Sequence, residues 1–149
     1  MKIIKLIEND DGFTMDSSAY SDYVNGIREL LSGDALQFMI ADWHYDHLDP
    51  RCPHDARIDY LKVDEKDGAI DIELLLNRAI EGSLRLKYGN VQWYVFDKQK
   101  TDWPVGTASH GDWMIDEMLL CEDGFLTHEI ILSESSLKIK HKSFEYWLE

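Results

Sequence analysis

A chain of 149 residues with fifteen Lys and Arg against twenty-nine Asp and Glu carries a formal net charge of −14, which opposes nucleic-acid binding, because a phosphate backbone needs clustered cations. The 44% of apolar residues, with five Trp, seven Tyr and five Phe, can build a core, and a domain of this size buries about 70% of its unfolded surface without needing disulfide or metal. Cys52 and Cys121 fit reduced thiols, with one disulfide as the alternative. The apolar start is too short for a signal peptide and no run is long enough to cross a membrane, so one cytoplasmic domain over 1–149 is expected.

Residues 2–7 read as a short strand, followed by the turn Asn9-Asp10-Asp11-Gly12. Asp16 or Ser17 can cap a helix whose apolar face is Tyr20, Tyr23, Val24, Ile27, Leu30 and Leu31, ended by Ser32-Gly33. Asp34 begins a second helix over 34–43, with Leu36, Met39, Ile40 and Trp43 in phase; a strand through Gln37–Ala41 is the alternative. On that helix Asp42, Asp46 and Asp49 would line one side near the C-terminal end, where acid opposes the dipole.

From residue 56 the period becomes two. Ile58, Tyr60 and Val63 suit one strand. Ile70–Leu76 and Leu84–Tyr88 suit a hairpin with Asp71 and Glu73 beside Arg85 and Lys87 on its outer face. Val91–Phe96 follows, then the aperiodic Asp97–His110, then strands at Trp113–Cys121, Phe125–Leu132 and Leu137–Trp147. The expected fold is α+β, with an N-terminal strand and two helices packed on a largely antiparallel six- to seven-stranded meander sheet. Lys138, Lys140 and Lys142 suit protection of a sheet edge, with a basic binding stripe as the alternative.

The densest polar chemistry runs from Asp42 to Asp55. His44, His47, Cys52 and His54 are residue types that ligate zinc, but their spacing lacks paired short repeats, so no metal or cofactor is expected and a polar helix end is the simpler reading. Asp116, Glu117, His128 and Glu129 fall on two strands joined by a short turn, where an acid and a histidine can face each other; a solvent-facing pair is the expected outcome. GxSxG, P-loop, GxGxxG and HExxH motifs do not occur.

The stretch His54-Asp55-Ala56-Arg57-Ile58, the alternating Ile70–Leu76, Leu84-Arg85-Leu86-Lys87-Tyr88-Gly89-Asn90-Val91, Asp116-Glu117, Glu122-Asp123-Gly124-Phe125, His128-Glu129-Ile130-Ile131-Leu132 and Phe144-Glu145-Tyr146 resemble a group of small uncharacterised bacterial proteins. In that group an HD dipeptide leads into an antiparallel β meander. Some of its members are regarded as immunity partners in bacterial toxin systems, and none supplies a catalytic residue to carry over. The resemblance covers about two thirds of the chain and implies protein binding.

Residues 1–75 hold seven basic and seventeen acidic groups, and residues 76–149 hold eight and twelve. A non-enzymatic acidic domain that neutralises a basic toxin is therefore the expected function, with Asp42, Trp43, Tyr45, Asp46 and Asp49 as the contact surface, because aromatic anchors ringed by charge make binding hot spots. Two other classes stay open. A homodimeric structural or regulatory protein would use Val91–Phe96 or the following loop. A small-ligand binder or enzyme would place Trp103, His110 and Trp113 around a pocket.

Overall fold

The alternating middle of the chain does form strands, and the computed structural model, which describes residues 1–98 and 109–149, arranges them in three sheets. β1 (Lys5–Asn9) and β2 (Gly12–Asp16) make a separate hairpin. Its turn uses Gly12 at φ 131°, a backbone conformation open to glycine. α1 (Ser18–Ile27) follows, entered through the Asp16 carboxylate, which accepts the Ser18 N–H at 3.1 Å. α1 buries Tyr20 and Val24. The apolar face expected to continue through Leu30 does not, because a 3-10 turn at Arg28–Leu30 changes the period and leaves Leu30 71% exposed.

α2 (Gly33–Ile40) resolves 34–43 as helix only as far as Ile40. Ala41 turns to extended backbone, ψ 126°, so Trp43 lies beyond the helix and Asp42, Asp46 and Asp49 do not share a helical side.

The other eight described strands are β3 (Arg57–Lys66), β4 (Ala69–Asn77), β5 (Ser83–Gly89), β6 (Trp93–Lys98), β7 (Trp113–Leu120), β8 (Leu126–Leu132), β9 (Ser135–His141) and β10 (Ser143–Leu148). They form two antiparallel four-stranded sheets, ordered β10-β5-β4-β3 and β6-β9-β8-β7. The α+β class stands, but a single six- to seven-stranded meander does not form. The chain leaves the first sheet at Asn90, φ 50°, and returns at Lys142, whose N–H donates to the Gly89 carbonyl at 3.1 Å. What reads as one strand from Leu137 to Trp147 is thus two strands in different sheets. β9 is interior to its sheet, so its lysines do not guard an edge; Lys138 and Lys140 pair with Glu129 and Asp123 at 3.5 and 2.5 Å.

The β4–β5 hairpin has the expected alternation. Ile72, Leu74 and Leu76 lie opposite Tyr88, Leu86 and Leu84, all buried, while Glu73 lies opposite Lys87 on the outer face. These residues join Met118, Ile130, Leu137 and Ile139 of the second sheet in one core, closed at one end by Phe38, Trp43 and Phe144. Among the described residues no helix is long and apolar enough to cross a membrane.

Candidate functional site

β7 is an edge strand, yet Asp116, Glu117 and Met118 in its middle are all buried. Strand geometry sends successive side chains to opposite faces, so both faces of β7 are covered. On one face the Glu117 carboxylate accepts the backbone N–H groups of Lys2, Ile3 and Ile4 at 2.8, 2.6 and 2.8 Å, fastening the N-terminal segment over the strand. On the other, Asp116 enters the interior.

The Asp116 carboxylate receives three donor groups. His44 Nε2 lies 2.9 and 3.0 Å from its two oxygens, His128 Nε2 lies 2.9 Å from Oδ2, and Trp113 Nε1 donates to Oδ1 at 3.2 Å. His128 is within reach because it pairs with Met118, which places Asp116 on the diagonal of the β7–β8 ladder. Tyr88 extends the network, its hydroxyl 2.9 Å from His128 Nδ1. Burial by itself would raise the Asp116 carboxyl, but the charge and hydrogen bonds of His44 and His128 outweigh it and hold the group well below the usual carboxylate range. Burial pushes the Tyr88 phenol well above its ordinary value.

The free edge of β7 is closed by phenols. Tyr45 donates to the Asp116 carbonyl at 3.1 Å. Tyr20 donates to the Met118 carbonyl at 2.8 Å and accepts the Met118 N–H at 3.0 Å, and Tyr23 accepts the Leu120 N–H at 2.8 Å. Tyrosines of the N-terminal third therefore replace a neighbouring strand.

The cavity beside the network, lined in part by His44, Cys52, Trp113 and Asp116, has a volume of about 10 Å³, room for at most about one water. A general acid or base must come within about 3 Å of its substrate, and this arrangement leaves no such space. Its evident chemistry is to bury and compensate charge.

The expected contact residues separate. Trp43 is 5% exposed and packs on Phe38 and Tyr146, and Tyr45 stacks on His44 with its hydroxyl on β7, so the aromatic half of that surface belongs to the interior. Asp42 and Asp46 are exposed. Asp49 is half-buried in a bidentate pair with Arg51, 2.9 Å to Nε and 2.6 Å to Nη2, which lowers its carboxyl to about 2. The zinc-type residues separate as well. His44 serves Asp116. The Cys52 thiol donates to the His44 carbonyl at 3.2 Å and is pushed up to about 11 by burial. His47 and His54 keep company, with ring centroids 4.4 Å apart, and His54 Nδ1 lies 3.2 Å from Asp55. Among the described residues no group of three or more His, Cys, Asp or Glu is arranged to hold a metal ion. Both cysteines are free.

Trp103 lies outside the described residues. His110 stacks on Phe96 at the surface, whereas Trp113 is in the core, so the two have different surroundings. The expected facing of an acid and a histidine across β7 and β8 does occur, but in the interior and not toward solvent. His44 joins them from 72 residues away; the cluster at 42–55 was a visible signal for it, its partner was not. No family model matches the chain, and no curated protein matches it significantly.

Proposed function

We propose that this chain is a non-enzymatic acidic protein-binding domain whose partner is a basic protein, as a toxin nuclease would be for an immunity protein. The observation that carries the reading is the exposure of uncompensated acid just after α2. The Asp42 side chain is 94% exposed, and Arg51 Nη2, 4.0 Å away, is committed to Asp49 at 2.6 Å. Asp46 is also exposed, its carboxylate accepting, among the described residues, only the Leu48 N–H at 3.0 Å. Surface acid of this kind raises the encounter rate with a cationic partner and fixes its orientation more than it adds raw affinity. The Asp116 network is meanwhile sealed inside, which leaves the surface as the working part.

The test is the association rate with a panel of basic nuclease domains, measured over a salt series for the wild type and for Asp42→Lys/Asp46→Lys. A slower rate and a shallower salt dependence in the variant are expected. Equal rates and equal salt slopes would remove this surface from the reading.

A further inference from the structure

Among the described residues nothing covers the outer face of the first four-stranded sheet, which carries an ordered pattern. One row across β10, β5, β4 and β3 reads Glu145, Lys87, Glu73, Lys62, each opposite the next in register. The adjacent row reads Trp147, Arg85, Leu75, Tyr60. Cross-strand pairing within the sheet accounts for the alternating charges. In the second row Arg85 pairs with Glu149 at 3.0 Å and the Tyr60 hydroxyl donates to Glu73, but Trp147 stays 41% exposed, and the row has the Trp, Tyr and Arg composition of interface cores.

We propose that a second copy of this chain docks on this face, related by a twofold axis that lies in the interface, parallel to the strands and between β4 and β5. Such an axis reverses the strand order and keeps each row against itself. Glu145 then meets Lys62 of the other copy and Lys87 meets Glu73, so every charge of the row faces its opposite. In the second row Trp147 meets Tyr60 and Arg85 meets Leu75. The adjoining acidic pair Asp64 and Asp71, opposite each other across β3 and β4, falls against Ser143 and Gly89 and not against its own copy. With Asp64 on Lys62 at 2.7 Å and Glu149 on Arg85 at 3.0 Å, and with Asp71 adjoining, the face holds three cations against five acids, so the dimer depends on the register of the rows and not on a net attraction. Four strands about 4.8 Å apart and about seven residues long give a projected area of about 450 Å² per copy, below the range of stable interfaces and in that of weak ones. The dimer is therefore a concentration-dependent one.

Sedimentation equilibrium of the full chain over the micromolar to millimolar range tests this. Lys62→Glu and Glu145→Lys, each made alone, place like charges together twice in the dimer and should weaken it at least about tenfold. The double variant should recover most of the wild-type affinity. Lys62 and Glu145 lie on opposite edges of one sheet, about 14 Å apart, too far for an effect within one chain to produce that recovery. Trp147→Ala should also weaken the dimer, and thermal unfolding of each variant separates loss of fold from loss of contact. A wild-type chain that is monomeric throughout would overturn the proposal and leave the face to a different protein. So would a double variant as weak as the sum of the two singles, or a dimer that is lost on Val95→Asp in β6 and indifferent to the Lys62 and Glu145 exchange.

Discussion

His44 stands between two acceptors, with Nε2 2.9 Å from Asp116 Oδ1 and Nδ1 3.0 Å from the Phe38 carbonyl. A carbonyl and an ionised carboxylate only accept, so His44 has to donate from both nitrogens, which is the imidazolium form. His128 shares the same carboxylate through Nε2, and the Tyr88 hydroxyl lies 2.9 Å from its Nδ1. The interior thus holds a compensated pair of opposite charges. Removing one member of a buried pair strands the other, which costs about 3–5 kcal/mol. Asp116→Asn is expected to lose that much in urea unfolding, and His44→Gln less, because Gln keeps a donor for the carboxylate. In ¹⁵N spectra both ring nitrogens of His44 should carry protons.

Stability should fall with acid in two stages. Burial, aided by His128, depresses the His141 imidazole to about 3, so it stays neutral in the fold while the unfolded chain takes up a proton near 6.5. A depressed folded value gives stability that is complete above about pH 6.5 and is lost toward pH 3, at up to about 1.4 kcal/mol per unit for the one proton. Asp116, also depressed, adds a loss only below its ordinary value of 3.8. His141 Nδ1 faces the Ser143 carbonyl at 3.0 Å and Nε2 has no partner among the described residues. His141→Leu should therefore remove most of the slope between pH 6.5 and 4, read as the difference between variant and wild-type unfolding curves. An unchanged slope would assign the loss to other histidines.

The β4–β5 hairpin was readable because its alternation and its partner are local. The split into two sheets was not, since β5 takes β10 and β6 takes β9 as neighbours, pairings that no local pattern specifies. One trace of it does exist in the sequence. Apolar positions run on odd numbers through Leu137 and Ile139, then on even numbers from Phe144 to Tyr146, and the change of parity falls where the chain crosses between sheets. At the site, the Asp116 and His128 relation could be read from a hairpin. The inward turn of Trp43 and Tyr45 could not, because residue type alone does not distinguish an aromatic anchor on the surface from one in the core. The same limit made the acidic run at 42–49 look uniform, although Arg51 neutralises Asp49 and leaves Asp42 and Asp46 exposed.

Gly111 is the glycine whose replacement should be most damaging at the entrance to β7. Its φ is 87°, and a Cβ there would approach the Glu134 backbone nitrogen to 2.6 Å, which a rotamer change cannot relieve. Gly111→Ala is expected to cost about 1–3 kcal/mol or more from strain and overpacking together. Gly68→Ala, at φ 77° with open space around its Cβ position, should be milder, and chemical denaturation of the pair compares conformational strain with and without the clash.

The phenol-capped edge of β7 makes the last prediction. Tyr20 serves both the N–H and the carbonyl of Met118, in a buried position where water cannot take over. Tyr20→Phe keeps the ring and its packing but leaves two backbone groups unpaired, at about 1–3 kcal/mol for each unsatisfied group. Tyr23→Phe strands only the Leu120 N–H, in a half-buried position that water reaches, and should cost less. Amide exchange locates the effect: the Met118 amide should lose protection in Tyr20→Phe by more than the global change in stability explains, while interior amides of β9 follow the global change alone. Equal loss at both places would mean that the tyrosine supports the core in general and does not stand in for a strand.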